Sequence, residues 1–151
     1  MDIRVDDLLG GEVVALLQEH LDDMHATSPP ESVHALNVQA LKAPEITFFS
    51  AWIGGSLAGC VALKHLNGGS AELKSMRTRA QFRNQGVGAH LLTHAVQFAK
   101  EQGYQSVSLE TGTQEYFGSA HRLYTKFGFV DCPPFADYTD DPHSRFMRIA
   151  L

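Results

Sequence analysis

The stretch "QFRNQGVGAHLL", Gln81 to Leu92, sets two glycines and an arginine directly ahead of an apolar helical repeat. Gly86 and Gly88 permit backbone dihedrals closed to other residues and let a ligand approach the main chain closely. The first N–H groups of the helix that follows lack internal partners and point outward along the positive end of its dipole. Such a turn reads as an anion site. Two common phosphate motifs are excluded. A P-loop needs Gly-Lys-Ser/Thr, and neither the lysine nor the hydroxyl is in place here. A dinucleotide fingerprint needs a third glycine where Leu91 stands, at the start of a βαβ repeat. Taken alone, the remaining R-x-x-G-x-G from Arg83 to Gly88 describes a ligand-free strand-to-helix turn equally well.

Working outward, "GVGAHLLTHAVQFAKEQG" is a long amphipathic helix closed by Gly103. Upstream, "ITFFSAWIGGSLAGCVALKHL" gives two β-runs joined at Gly54-Gly55, and "NGG" at Asn67 to Gly69 turns into "SAELKSMRT". Downstream, "QSVSLET" is a strand, "GSAHRLYTKFGF" a shorter helix ended by Gly128, and "SRFMRIAL" a closing strand. Near the start, "IRVDD" is a short strand, and Val13, Leu17, Leu21 and Met24 predict a helix from Glu12 to His25. "SPPESVHALNVQAL" predicts a second helix, with Ser28 and Glu31 at capping-box spacing and Pro29 at its first position, although Pro30 disfavours helical dihedrals at Pro29 and lets the start slip by a residue. The order describes a mixed α/β sheet with helices on both faces.

A chain of 151 residues, 44% hydrophobic, fits one domain spanning 1–151 with a core that needs neither disulfides nor metal. The acidic start "MDIRVDDLLGG" lacks a cationic-then-apolar pattern, so no signal peptide is expected. No apolar run approaches the ~20 residues of a membrane span. Cys60 and Cys132 form no CxxC pair, and a reduced cytoplasmic setting is the expectation. The net charge of −5 argues against nucleic acid as partner, whereas Lys74, Arg77, Arg79 and Arg83 form a local cationic patch suited to a small polyanion.

The segment "ELKSMRTRAQFRNQGVGAHLL" followed by "AHRLYTKFGF" resembles the acetyl-CoA-dependent N-acetyltransferases of the GNAT superfamily, and the hairpin "IGGSLAGCVAL" matches their second and third strands. The resemblance covers nearly all of the chain. It implies a mostly antiparallel sheet with helices on both faces and a splay between the fourth and fifth strands. It also implies acetyl-CoA as co-substrate and a small amine-bearing acceptor. Members of the family are often dimers, and the oligomeric state stays open here, while the residues themselves give no expectation of a metal or a membrane partner. Carried over by residue, Arg83, Asn84, Gln85, Gly86, Val87 and Gly88, with Ala89, form the pyrophosphate loop. Met76 and Thr78, flanking Arg77, offer backbone groups to the pantetheine arm. Tyr124 lies at the thioester sulfur and is the acid for the departing thiolate. Phe117 departs from the family, many of whose members have asparagine at that position.

Acetyl transfer to an amine with a pKa of ~10.4 needs a base, often acting through water. Glu72 is the first candidate, placed by strand alternation on one face with Lys74 and Met76. An ion pair with Lys74 is the competing reading. Glu110 on the fifth strand is the second candidate, with a structural role favoured. His90 and His94 have i, i+4 spacing, but Leu91 breaks HExxH, and with Gln97 and Glu101 they form a solvated stripe. The resemblance makes the first two helices the wall of the acceptor pocket, which brings in His34 and Glu31, with a satisfied helix histidine as the favoured reading of His34. Asp22, Asp23 and Glu31 would suit a cationic acceptor, and surface solvation explains them equally well. A protein acceptor, or an idle acyl-CoA-binding module, stays open at this point.

Overall fold

The β4 strand organises the molecule because it carries both the sheet's one parallel pairing and its main irregularity. The computed structural model describes residues 1–151. Its elements are β1 (Asp2–Val5), α1 (Gly11–Thr27), α2 (Val38–Leu41), β2 (Ile46–Ile53), β3 (Ser56–His65), β4 (Ser70–Thr78), α3 (Val87–Glu101), β5 (Ser106–Gly112), α4 (Gly118–Phe127), β6 (Val130–Asp131) and β7 (Ser144–Ala150). The seven-stranded sheet runs β1-β2-β3-β4-β5-β7-β6, and all its pairs are antiparallel except β4–β5. No helix is long and apolar enough to cross a membrane.

Alternation along the strands divides the core in two. Phe49, Val61, Leu63, Leu73 and Leu109 face Leu91, Leu92 and Ala95 of α3 and Tyr124 of α4. Their neighbours Phe48, Leu57, Cys60 and Ala62 face Val13, Leu16 and Leu17 of α1. Each fully buried large apolar side chain contributes about 1.5–3 kcal/mol, so both helical layers are held chiefly by this burial.

The helix expected over residues 28–41 is not there. Pro29 stays extended at φ −58°, ψ 148°, a 3-10 turn covers Pro30–Ser32, and only Val38–Leu41 is α-helical, capped by the Asn37 side chain. The cause is local. Pro30 clashes with a helical conformation at the residue before it, so the capping-box spacing cannot be used.

Plain alternation also fails on β4. Cys60 opposes Arg77 and Ala62 opposes Lys74, so Ser75 and Met76 together face Val61. This is a β-bulge, with Ser75 at φ 51°. Glu72 and Lys74 therefore share a face as expected, but the bulge brings Arg77 back to that face, and Met76 packs toward the α3 core. Just before the bulge β4 leaves β5: their last pair is Leu73–Leu109, beyond which Glu110 to Gly112 pair only with β7. This is the splay expected between the fourth and fifth strands.

Gly59 seats α3 against β3. A Cβ there would lie 2.6 Å from the Arg77 carbonyl oxygen and 3.1 Å from Leu91 and Val87 side-chain atoms. Gly59→Ala should lower stability by about 1–3 kcal/mol, read by urea unfolding. A wild-type midpoint would show that the helix has room to yield.

Candidate active site

The turn before α3 has the conformation its sequence suggested. Asn84 (φ 61°) and Gly86 (φ 80°) are both left-handed, which glycine adopts freely and asparagine tolerates. The first helical bond of α3 runs from His90 N–H to the Gly86 carbonyl at 3.1 Å. The N–H groups of Val87, Gly88 and Ala89 are thus left without helical partners, at the positive end of the dipole. His90 Nδ1 also meets the Gly86 carbonyl at 2.8 Å, so this histidine braces the turn, while His94 packs edge-on against Phe49.

A cavity of about 570 Å³ opens where β4 and β5 separate. Its lining brings together Arg83, Asn84, Gly86, Val87, Gly88 and Ala89 of the turn, Glu72, Lys74, Met76, Arg77 and Thr78 of β4, Glu110 of β5, Tyr124 of α4, and His34. Two candidates fall outside it. Gln85 is exposed and donates to the Gln81 carbonyl, and Glu31 points to solvent while its neighbour Ser32 lines the cavity.

The two glutamates have opposite surroundings. Glu72 Oε2 accepts from Lys74 Nζ at 3.0 Å and from the Tyr138 hydroxyl at 2.5 Å, and its side chain is 3% exposed. Tyr138 in turn accepts from Lys74 at 2.9 Å. Glu72 is therefore an ion-pair partner, fixed in place. Glu110 makes no ion pair. Burial pushes its carboxyl up to about 7, outweighing the downward pull of Ser144 and Lys74. Near neutral pH it exchanges a proton readily, which is what a base needs.

Arg77 does not face an incoming anion. Its guanidinium is 2.5 Å from Glu19 and 2.6 Å from Asp23, both on α1, and 3.4 Å from the Tyr116 hydroxyl. It fastens α1 to β4 and to the chain entering α4, and so occupies Asp23, one of the acids expected at the entrance. Beside it His20 lines the cavity, its pKa lowered to about 4 by burial and by Arg77. His34, edge-on to Tyr138 at 4.9 Å, is also pushed toward the neutral form, by burial first and Lys74 second. Tyr124 is 7% exposed, and burial, then the Glu110 charge, raises its phenol above the ordinary range. Phe117 packs its ring against Gly112 at the end of β5, an apolar contact where an asparagine would offer a hydrogen bond.

Tyr138, Ser32 and Asp141 carried no recognisable signal in the sequence. Tyr138 lies 66 residues from Glu72, and the Ser32 hydroxyl donates to Asp141 across 109 residues. These contacts draw the β6–β7 loop over the site.

The fold agrees with what the chain is similar to. Residues 13–129 match the acetyltransferase (GNAT) family. An uncharacterized N-acetyltransferase of Bacillus subtilis, YsnE, is 52% identical over 151 residues, covering 100% of both chains. An IAA acetyltransferase of Azospirillum brasilense is 37% identical over 143 residues, covering 92% of this chain and 90% of that one. A Klebsiella pneumoniae structure described as an acyl-CoA N-acyltransferase superposes with a TM-score of 0.80 at 27% identity, covering 99% of this chain and 97% of the other. With its family segment, full-length relatives and splayed sheet in accord, the chain belongs to the GNAT family of N-acetyltransferases.

Proposed function

We propose that this protein transfers the acetyl group of acetyl-CoA to the amine of a small acceptor, which attacks the thioester directly. The observation that carries the reading is one cavity holding the open N–H groups of the α3 turn, the unpaired Glu110 and the buried Tyr124. The pyrophosphate takes the N–H groups of Gly86 to Ala89 with Arg83 beside them. The pantetheine amides run along the edge of β4 that β5 has left, by Met76 and Thr78. The likeness to an IAA acetyltransferase supports a small acceptor for this chain too.

In the reaction the amine nitrogen bonds to the thioester carbon as Glu110 removes its proton, directly or through one water. A backbone N–H at the bulge steadies the oxyanion. The C–S bond then breaks, and Tyr124 gives its proton to the thiolate. Its raised pKa keeps the phenol protonated until that moment. Glu72, already engaged by Lys74 and Tyr138, serves as a fixed part of the acceptor wall. Glu110 thus takes the role that strand alternation suggested for Glu72.

With the Glu110 carboxyl near 7, the base is lost as pH falls, so kcat/KM should decline on the acid side of about pH 7. Glu110→Gln should cut kcat by ~10²-fold or more and flatten that limb, whereas Glu72→Gln should keep the limb. If Glu72→Gln erased the limb and Glu110→Gln preserved it, the assignment would be reversed. Tyr124→Phe retains the ring and deletes the proton source, so kcat should fall while CoA affinity and Tm hold. A loss of Tm with kcat per folded molecule intact would make Tyr124 a packing residue.

A further inference from the structure

Two charged groups on the acceptor side of the cavity have bonding capacity that the protein leaves unused. A lysine ammonium has three N–H donors, and Lys74 spends two, on Glu72 and the Tyr138 hydroxyl. Glu110 makes no ion pair, the Lys74 charge acting on it only from a distance. Glu72 and Ser108 are register partners on β4 and β5, so Lys74 and Glu110, each two residues further along, flank the gap on the same sheet face. Both line the cavity.

Lys74 is held for such a task. Tyr138 receives its N–H and donates to the same Glu72 oxygen, closing a triangle of 2.9, 2.5 and 3.0 Å. Phe135, Phe146 and His34 pack their rings around Tyr138 at centroid distances of 5.1, 5.5 and 4.9 Å, so the phenol cannot swing away. A buried ion pair is weak evidence of a stabilising role, because well-packed apolar residues would hold the strands as well. An ammonium fixed at the cavity lining with one donor unspent has the form of a binding group. Arg77, the neighbouring cation, has its charge paired with Glu19 and Asp23, and its unbonded Nε is buried. Burial lowers the pKa of both His20 and His34, pushing them toward the neutral form. Lys74 is thus the cation on that wall able to meet a ligand's negative charge.

Resting on the acetyltransferase reading above, we propose that the acceptor is a zwitterion of the α-amino acid type, its carboxylate on the third N–H of Lys74 and its amine facing Glu110. Amine and carboxylate on one carbon match an acid and a cation on facing strand edges. Asp141 does not oppose this, since its carboxylate is engaged by Ser32 and by the His143 backbone N–H.

The test measures CoA release from acetyl-CoA by the full chain with L-amino acids, each paired with its decarboxylated amine and its carboxamide. L-phenylalanine with phenethylamine and L-lysine with cadaverine are two such pairs. At least one amino acid should exceed its decarboxylated partner in kcat/KM by ~10-fold or more, the worth of a charged hydrogen bond. Lys74→Gln should bring that ratio to about one, and Lys74→Arg should restore part of it. Amines or diamines acetylated as well as the amino acids would overturn the inference while leaving the acetyltransferase reading intact. A ratio unchanged in folded Lys74→Gln would overturn it too. No turnover of any amine or amino acid would overturn the small-acceptor reading and this inference with it. The wild-type panel decides even if the variants do not fold.

Discussion

After Leu73 and Leu109, β4 and β5 stop exchanging backbone hydrogen bonds, and the chemistry of this molecule is arranged around that gap. Buried peptide groups rarely go unpartnered, so two strand edges opened inside a sheet invite a ligand to take the missing place. Each strand keeps one neighbour, β3 for β4 and β7 for β5, which holds the gap open without unravelling the sheet. The bulge at Ser75 and Met76 then re-aims β4, sending Arg77 toward α1 and Met76 toward the α3 core. One extra residue decides which side chains face α1 and which face α3.

The two glutamates near the gap show how surroundings divide roles between chemically equal groups. Glu72 is deeply buried yet held by an ammonium and a phenol, so its charge is compensated in place. Glu110 is partly buried with no such partner, and its proton affinity rises into the neutral range. A carboxylate that is already bonded makes a wall; one that is unpaired can accept a proton. The same contrast separates the cations. Arg77 is paired with Glu19 and Asp23 as a clasp, its unbonded Nε buried, while Lys74 lines the cavity with one donor unspent.

What could be read in advance was what local chemistry encodes. The glycine turn, the α3 helix, the Gly54-Gly55 hairpin and the Gly128 stop are each set by a few adjacent residues with strong conformational preferences. The Ser75 bulge has no glycine or proline to announce it, so alternation was carried one residue too far and misplaced Met76. The Pro29-Pro30 pair outweighed a capping box that was otherwise well spaced. The acceptor wall was least legible. Tyr138 meets Glu72 and Ser32 meets Asp141 only because the sheet brings distant segments together, and no periodicity marks such contacts. Glu110 was visible as a candidate, but what distinguishes it from Glu72 lies in what each glutamate touches.

A crystal structure of the protein with CoA tests the arrangement most directly, through the position of the sulfur. The pyrophosphate should lie on the N–H groups of Gly86 to Ala89. The pantetheine amides should pair with the open edge of β4. The sulfur should come within hydrogen-bond reach of the Tyr124 hydroxyl, with Glu110 across the gap. CoA bound away from the α3 turn, or a sulfur remote from Tyr124 with the β4–β5 gap left empty, would contradict the account.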